Sequence, residues 1–110
     1  MKQIGRLAFI LLLTSLAFAA ETPHLGETLP DFSLQDTEGN THSLSDYRGK
    51  IVLLFTFGYG CGFCVRRAER LEPIHKERGG EDFVIIGLDG WNGTNEQVDG
   101  FAEESGTTFL

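Results

Sequence analysis

Residues 51–64 read IVLLFTFGYGCGFC, an apolar run that ends in a glycine-rich turn and two cysteines. The run at residues 51–57 is β-branched and aromatic without polar alternation, which is typical of a strand buried on both faces. Residues 65–78 are rich in Arg and Glu and stop at Gly79. Their inward positions, spaced three or four apart as in a helix, are Val65, Ala68, Leu71 or Glu72, and His75. The stretch therefore predicts a strand, a turn and a helix, with both cysteines at the carboxyl end of the strand.

The two cysteines, Cys61 and Cys64, form a CxxC pair where the predicted helix begins. A thiol in the first turn of a helix lies near unpaired backbone N–H groups and the positive end of the helix dipole, and both favour the thiolate. Cys61 is therefore the candidate nucleophile. Cys64 lies about one turn further on, and we expect it to be more covered and to resolve a mixed disulfide by attacking Cys61. A disulfide that closes so short a loop stabilises a fold little, so the spacing favours redox catalysis.

The N-terminal residues 1–20 are typical of a secretory signal. Lys2 and Arg6 precede an apolar segment, and residues 17–19 read Ala-Phe-Ala, which matches an A-x-A cleavage site. At about 14 residues, the apolar segment is shorter than the roughly 20 that a membrane-spanning helix needs, although an uncleaved anchor stays open. We predict a signal peptide at residues 1–19 and an exported protein of the periplasm or cell envelope, tethered to the membrane only if the signal is retained.

The remainder of the chain is long enough for one domain with a modest core. We place this domain at residues 29–110, after a flexible lead-in at residues 20–28. Polar and apolar residues alternate on both sides of turn residues at 36–40, which predicts a β-hairpin between residues 31 and 44. Residues 45–50 are expected to form a single helical turn or a tight loop.

A second apolar run at residues 82–89 predicts another buried strand beyond the cysteine helix. Strand, helix and strand in this order predict a parallel pair with a helical crossover. Thr94 and Gln97 match a capping box that opens a helix ending near Ser105. Residues 107–110 are typical of the approach to another strand. The predicted class is α/β, with an N-terminal β-hairpin followed by a parallel β-α-β-α unit.

These segments, in this order, resemble the exported thioredoxin-like redoxins. That family joins alkyl hydroperoxide reductase and thiol-specific antioxidant relatives with the TlpA-like and ResA-like thiol-disulfide oxidoreductases. Residues 29–40 resemble its opening hairpin, residues 44–50 its approach to the central strand, residues 61–64 its active-site pair and residues 83–89 its next strand. The resemblance implies a thioredoxin-like fold and no cofactor. It also implies protein thiols or disulfides as partners, an upstream dithiol donor, attack by the first cysteine and release by the second.

The chain departs from the family pattern in two ways. Family members often carry tryptophan before the first cysteine and proline between the two, whereas this chain has Gly60 there and Gly62 and Phe63 between. The family also continues with a cis-proline strand, a hairpin strand and a final helix, and no proline follows Pro73 here. The chain thus resembles the N-terminal two-thirds of a redoxin domain. We expect a truncated or incomplete domain, and an inactive fragment stays open.

Two other functions compete with disulfide exchange. A thiol peroxidase of the antioxidant branch resembles a Pro-x-x-x-Thr/Ser-x-x-Cys loop, but the corresponding positions before Cys61 are Leu54 and Gly58, so disulfide exchange is favoured. A metal-delivery scaffold would hold a soft ion between the cysteines and a histidine. His75 lies too far along the helix to join them, and it, like His24 and His42, is expected on the surface. The formal net charge of −7 argues against nucleic acid as a partner.

Several residues are predicted neighbours of the cysteine pair. Tyr59 borders the cysteines and is expected to shield them, together with Gly60, Gly62 and Phe63. Trp91 follows the second strand and either lines the cleft or caps the core, since ligands in open α/β sheets gather at the carboxyl ends of strands.

Charged residues near the pair are assigned lesser roles. Arg66 and Arg67 add positive charge close to the cysteines but are expected to point into solvent. Asp89 is expected to be a turn or cap group rather than a proton acceptor for the buried thiol.

Overall fold

A computed structural model describes residues 22–109, so the predicted signal peptide lies outside the described residues. Among residues 22–109, no helix is long and apolar enough to cross a membrane. The elements follow the predicted order of hairpin, strand, helix, strand and helix. They are β1 (Ser33–Gln35), β2 (Thr41–Ser43), a 3₁₀ turn (Leu44–Tyr47), β3 (Ile51–Phe57), α1 (Gly62–Arg78), β4 (Phe83–Asp89) and α2 (Asn95–Ser105).

The hairpin of β1 and β2 is antiparallel, as predicted. Its turn is organised by Asp36, whose Oδ1 accepts the backbone N–H groups of Glu38 at 3.0 Å and Asn40 at 2.8 Å. Gly39 has a φ of +88°, a left-handed conformation that glycine adopts without steric cost. The turn residues that predict the hairpin in the sequence therefore also make its hydrogen bonds.

Strands β3 and β4 form the parallel pair, with a register that runs from Ile51 opposite Phe83 to Phe57 opposite Asp89. Because the strands are parallel and in register, their carboxyl ends lie side by side. The N–H of Gly90 donates to the carbonyl of Phe57 at 2.8 Å and extends the pairing by one step. The turn after β3 and the loop after β4 are therefore neighbours.

Helix α1 begins at Gly62, within the cysteine pair where the sequence predicts its start, and continues through Pro73 to Arg78. Its buried residues are Val65, Ala68 and Glu72, with His75 half-buried. The spacing of the sequence left the third inward position open between Leu71 and Glu72. The structure buries the charged residue rather than its apolar neighbour.

The core lies between β3, α1 and α2. Phe57, Val65, Ala68 and Phe101 form its buried cluster, and the rings of Phe57 and Phe101 stack with centroids 4.1 Å apart. Such an aromatic pair adds about 0.5–1.5 kcal/mol to the free energy of unfolding beyond the area it buries. Phe55, Cys64, Val98 and Phe109 pack around this cluster.

The prediction that β3 is buried on both faces is wrong. Ile51 is 70% exposed and Leu54 36% exposed. Side chains alternate between the two faces of a strand, so Phe55 and Phe57 meet the core on one face while Leu54 is exposed on the other. Ile51 shares the face of Phe55 and Phe57, but it lies at the start of the strand and is not among the residues that pack against the core cluster. Among the described residues β3 pairs only with β4, and the face that carries Leu54 and Thr56 stays exposed.

Helix α2 begins as predicted, with Thr94 Oγ1 accepting the N–H of Gln97 at 3.3 Å and Gln97 Oε1 accepting the N–H of Thr94 at 3.0 Å. It ends at Gly106, whose φ of +65° closes the helix in a left-handed conformation. Residues 107–109 follow without strand structure, and Leu110 lies outside the described residues.

The segment after α2 is held to α1 by Glu72. Its carboxylate accepts the backbone N–H of Thr108 at 2.8 Å and the Thr108 hydroxyl at 2.6 Å, and Lys76 Nζ lies 3.4 Å away. Burial raises the pKa of Glu72, but the hydrogen bonds from Thr108 and Lys76 outweigh it and leave the pKa below its ordinary value. Glu72 is therefore a buried carboxylate at neutral pH.

Candidate active site

The cysteine pair lies at the N-terminus of α1, directly after the turn that follows β3. Cys61 and Cys64 are joined by a disulfide, with their Cα atoms 5.2 Å apart. Cys61 is the N-cap residue of α1, and its Sγ accepts the backbone N–H of Cys64 at 3.2 Å. After reduction, this N–H group and the positive end of the helix dipole would stabilise a negative charge on the same sulfur.

The two sulfurs have different surroundings. Both residues are half-buried, but Cys64 packs against the core cluster, whereas Cys61 does not belong to that packing. Cys64 is therefore the member of the pair that contacts the core. The assignment of Cys61 as the attacking cysteine and Cys64 as the resolving cysteine stays a prediction.

The turn between β3 and Cys61 depends on its glycines. Gly60 has a φ of +81°, where a residue with a Cβ is strained by roughly 1 kcal/mol or more. The N–H of Cys61 donates to the carbonyl of Gly58 at 3.2 Å and closes the turn. Position 60, where the redoxin pattern often has tryptophan, therefore has a left-handed backbone conformation in this chain, and glycine adopts it without strain.

Trp91 borders this turn. Its indole ring lies so close to Gly58 that a side chain on Gly58 would collide with Cδ2, Cε2 and Cε3 of the ring. The indole is nevertheless 67% exposed, so it does not cap the core. Of the two roles that the sequence leaves open for Trp91, the exposure of the ring argues against capping the core, and a role in lining a cleft stays a prediction.

The loop that carries Trp91 is held by Asp89. Its Oδ1 accepts the N–H of Trp91 at 3.0 Å and its Oδ2 accepts the N–H of Gly93. Asp89 is thus a turn-forming residue, as predicted, and both of its oxygens are occupied. Its position at the end of β4 places Trp91 next to the turn after β3.

Three exposed aromatic side chains lie in or against the turn that carries the disulfide. Tyr59 is 48% exposed, Phe63 59% and Trp91 67%. Phe63 lies between the cysteines in sequence, and the ring of Tyr59 lies beside Gly100 of α2. We call these three residues the aromatic rim. Exposed aromatic side chains around a reactive centre are typical of a contact surface.

Arg66 and Arg67 are exposed, but their guanidinium groups lean back toward the cysteines. The Arg67 guanidinium lies over the Phe63 ring, 5.1 Å from its centroid, in a cation–π contact. Arg66 Nη1 lies 4.0 Å from the position that a Cβ on Gly62 would occupy. Both side chains are exposed, as expected, and Arg67 also covers one face of the exposed Phe63 ring.

The histidines lie away from the cysteine pair. His42 donates or accepts hydrogen bonds with Asp36 at 2.8 Å and Tyr47 at 3.1 Å, and the His75 ring lies edge-on to Phe109. Both side chains are half-buried, so the prediction of surface histidines is wrong for these two, because the hairpin and the segment after α2 pack over them. Between residues 22 and 109, no group of three His, Cys, Asp or Glu side chains is placed to hold a metal ion.

Gly58 is the site residue that the sequence did not reveal. Its contact with Trp91 joins two loops that are far apart in the chain, and only the parallel register brings them together. A glycine at the end of a buried strand signals the close approach of another group, but it does not say which one.

The AhpC/TSA family model matches residues 25–110. The chain belongs to the AhpC/TSA family. Among its relatives, the thiol-disulfide oxidoreductase ResA of Geobacillus thermodenitrificans is 40% identical over 89 residues, which cover 77% of this chain and 48% of ResA. Glutathione peroxidase 1 of Helianthus annuus is 31% identical over 78 residues, which cover 66% of this chain and 47% of the peroxidase.

The fold of this AhpC/TSA chain is thioredoxin-like. It is similar to the thioredoxin domain of a thiol-disulfide oxidoreductase from Bacteroides vulgatus, with a TM-score of 0.70 and 25% identity over 80% of this chain and 62% of that domain. The predicted family and fold class are therefore confirmed. The chain spans about half the length of the curated relatives it matches.

Proposed function

We propose that this AhpC/TSA chain is an exported thiol-disulfide oxidoreductase that cycles Cys61 and Cys64 between dithiol and disulfide. The observation that carries the proposal is the position of Cys61 Sγ, which caps α1 and accepts the N–H of Cys64 at 3.2 Å. A cysteine sulfur that caps a helix N-terminus has its thiolate form stabilised. A larger fraction of it is therefore the nucleophilic thiolate near neutral pH. The second cysteine, Cys64, forms a disulfide with Cys61 in the structure, as the oxidised half of the cycle requires.

The reduced pair would act in two steps. The Cys61 thiolate attacks one sulfur of a partner disulfide, so that a Cys61–partner bond forms and the partner S–S bond breaks. The departing partner sulfur leaves as a thiolate and takes up a proton. Cys64 then loses its proton and attacks Cys61 Sγ, which forms the Cys61–Cys64 disulfide and releases the second partner sulfur as a thiol.

Two electrons pass from the cysteine pair to the partner in this cycle. The pair ends oxidised, which is the state of Cys61 and Cys64 in the structure. An upstream dithiol returns it to the reduced form by the same steps in reverse. The partners are therefore protein thiols and disulfides, and the chemistry needs no cofactor.

Export is part of the proposal and rests on the N-terminal sequence. Lys2 and Arg6, the apolar segment after them and Ala-Phe-Ala at residues 17–19 are typical of a signal peptide. The redoxin domain at residues 29–110 would then work in the periplasm or cell envelope, where protein disulfides form and persist.

A thiol peroxidase is the second candidate, and the similarity to glutathione peroxidase 1 favours it. Against it stands the site itself. Peroxide chemistry in the antioxidant branch resembles a loop with a hydroxyl three residues before the reactive cysteine, and this chain has Gly58 there, covered by Trp91. We therefore rank disulfide exchange first.

Trapping of the intermediate tests the proposed order of attack. The full chain with Cys64→Ser, incubated with a disulfide-bonded substrate peptide, is expected to accumulate a mixed disulfide because no resolving thiol is present. Cys61→Ser is expected to trap none, since Cys64 packs against the core. Mass spectrometry of the non-reduced proteins reads the result, and equal trapping by the two variants would contradict the assigned roles.

A further inference from the structure

The surroundings of the cysteine pair differ in charge from the rest of the molecule. The chain has 16 Asp and Glu residues against 9 Lys and Arg. Residues 58–68, which contain the cysteine turn and the start of α1, nevertheless include Arg66 and Arg67 and no acidic residue. The carboxylate nearest in the adjoining loop sequence, Asp89, has both oxygens bound to backbone N–H groups. The cysteine turn and the start of α1 therefore form a short basic surface on an acidic protein, and this surface ends at the exposed Glu69.

The two arginine side chains of this basic surface extend toward the start of α1. Both arginine side chains bend back from α1 toward the turn, Arg67 over the ring of Phe63 and Arg66 toward Gly62. Neither guanidinium forms an ion pair with a carboxylate among the described residues. Both side chains are exposed, so guanidinium N–H donors beside the dipeptide that separates the two cysteines are open to solvent.

Apolar contact area lies next to these charges. The aromatic rim, Tyr59, Phe63 and Trp91, is between 48% and 67% exposed. A segment of a partner that reaches the cysteines would lie along aromatic rings and would end within reach of two guanidinium groups. Arginine beside exposed aromatic rings is a combination that protein contact surfaces use often.

We infer that the preferred partner of the cysteine pair is an acidic polypeptide segment in which apolar residues flank the reactive cysteine. Apolar side chains next to that cysteine contact the aromatic rim, and carboxylates further out pair with Arg66 and Arg67. The inference rests on the proposed disulfide exchange and adds the chemistry of the substrate to it. The rest of this chain has a net negative charge and repels acidic polypeptides, so an acidic partner is not held nonspecifically away from the basic surface.

Matched peptides test the inference. Each peptide has one cysteine, activated as a 2-thiopyridyl disulfide and flanked by two leucines, with glutamate, glutamine or lysine at the outer positions. The reduced full chain attacks the peptide sulfur, a mixed disulfide forms and thiopyridone is released, so its absorbance gives the rate. Each rate is divided by that of a neutral small thiol with the same peptide, which removes the intrinsic reactivity of the peptide.

We expect the normalised rate for the glutamate peptide to exceed that for the lysine peptide by about tenfold at low salt, since two exposed ion pairs of about 0.7 kcal/mol each give that factor. Salt is expected to reduce the ratio. The double variant Arg66→Gln/Arg67→Gln lowers it toward one, whereas Arg78→Gln, which removes an exposed arginine at the other end of α1, leaves it unchanged. Serine in place of both leucines lowers the rate for every peptide.

The outcomes separate this inference from the function on which it rests. Equal normalised rates for the glutamate, glutamine and lysine peptides, with each faster than the small thiol, would overturn the acidic partner and leave disulfide exchange intact. A ratio that survives the double arginine variant would also overturn it. If no peptide reacts faster with the chain than with the small thiol, disulfide exchange itself fails and the inference fails with it.

Discussion

At the scale of single residues, the candidate site depends on close contacts at two glycines. Gly58 is buried and has the Trp91 indole directly against it, and Gly60 holds a left-handed turn. Cys61 follows two residues after Tyr59 and caps the helix with its sulfur. The position of Cys61, the candidate nucleophile, thus depends on glycines as much as on the cysteines themselves.

Gly58→Ala is expected to displace the Trp91 ring. The new methyl group would collide with the indole, but the ring is 67% exposed and can move away, so we expect a loss of less than about 1 kcal/mol in the free energy of unfolding. Trp91 is the only tryptophan of the chain, so its fluorescence reports the movement directly. An emission spectrum identical to that of the wild type would show that the contact is not made.

Gly100→Ala is the matched control for this variant. Gly100 lies inside α2, and a methyl group there would come no closer than an ordinary contact, 3.6 Å, to the ring of Tyr59. Because alanine favours a helix over glycine, we expect this variant to gain about 0.5–1 kcal/mol in the free energy of unfolding with unchanged Trp91 fluorescence.

At the scale of elements, two polar clusters connect pieces that have little apolar contact. In the hairpin, Asp36 binds the His42 ring at 2.8 Å, and His42 binds the Tyr47 hydroxyl at 3.1 Å. At the other end of the chain, Glu72 of α1 holds Thr108 through two hydrogen bonds. Short strands and chain ends gain their order from such local polar contacts.

The hairpin is expected to weaken in acid. The hydrogen bond from His42, followed by that from Asn40, lowers the pKa of Asp36 from 3.8 to about 2. A carboxylate whose pKa is lower in the folded chain than in the unfolded chain stabilises the fold above the unfolded value, and this contribution is lost as pH falls from 3.8 toward 2. Asp36→Asn should therefore unfold more easily at pH 7 and depend less on pH in that window.

Urea unfolding followed by circular dichroism at pH 7 and across the acid window measures this effect. Glu38→Gln is the control, because Glu38 lies in the same turn and is exposed, with only a 3.5 Å contact to Asn40. The idea fails if Asp36→Asn and Glu38→Gln show the same acid profile as the wild type.

Glu72→Gln is expected to loosen the segment after α2. Glutamine keeps the size of the side chain but loses the charge, and its amide cannot accept both donors of Thr108 with two oxygens. We expect a loss of about 1–3 kcal/mol in the free energy of unfolding, which is typical of an unsatisfied buried polar group. Glu69→Gln, exposed and one turn earlier on α1, should change the stability by less than about 0.5 kcal/mol. Equal losses in chemical denaturation would argue against the role of Glu72.

At the scale of the whole molecule, the parallel pair β3 and β4 assembles the site. Its register places Phe57 beside Asp89, so the turn that carries Cys61 and the loop that carries Trp91 meet at one edge of the sheet. Helix α1 connects the two strands and presents its N-terminus, with Cys61 as its cap, at the same edge.

Features that depend on neighbouring residues could be predicted from the sequence. The capping box of Thr94 and Gln97 makes its hydrogen bonds within one turn, and the turn before Cys61 is indicated by the neighbouring glycines, Gly58 and Gly60. The hydrophobic run of β3 likewise needs no distant information to indicate a strand. Such local signals account for the correct order of elements and for the position of the cysteine pair.

Features that depend on distant residues could not be predicted. The exposure of Ile51 depends on which layers cover β3, and the burial of Glu72 depends on a hydrogen-bond donor, Thr108, that lies far along the chain. The contact between Gly58 and Trp91 requires the strand register. Helical spacing alone allowed either Leu71 or Glu72 to face inward. The hydrogen bonds from Thr108 are what favour the burial of Glu72.

The most direct test of the central claim compares two rates for the reduced full chain, one with a disulfide substrate and one with hydrogen peroxide, against Cys61→Ser. The account predicts rapid reduction of the disulfide and slow consumption of peroxide. It also predicts that Cys61→Ser loses the disulfide reaction, because the sulfur of Cys61 is the one that caps α1. Faster consumption of peroxide, or disulfide reduction no faster than that by a free thiol, would contradict it.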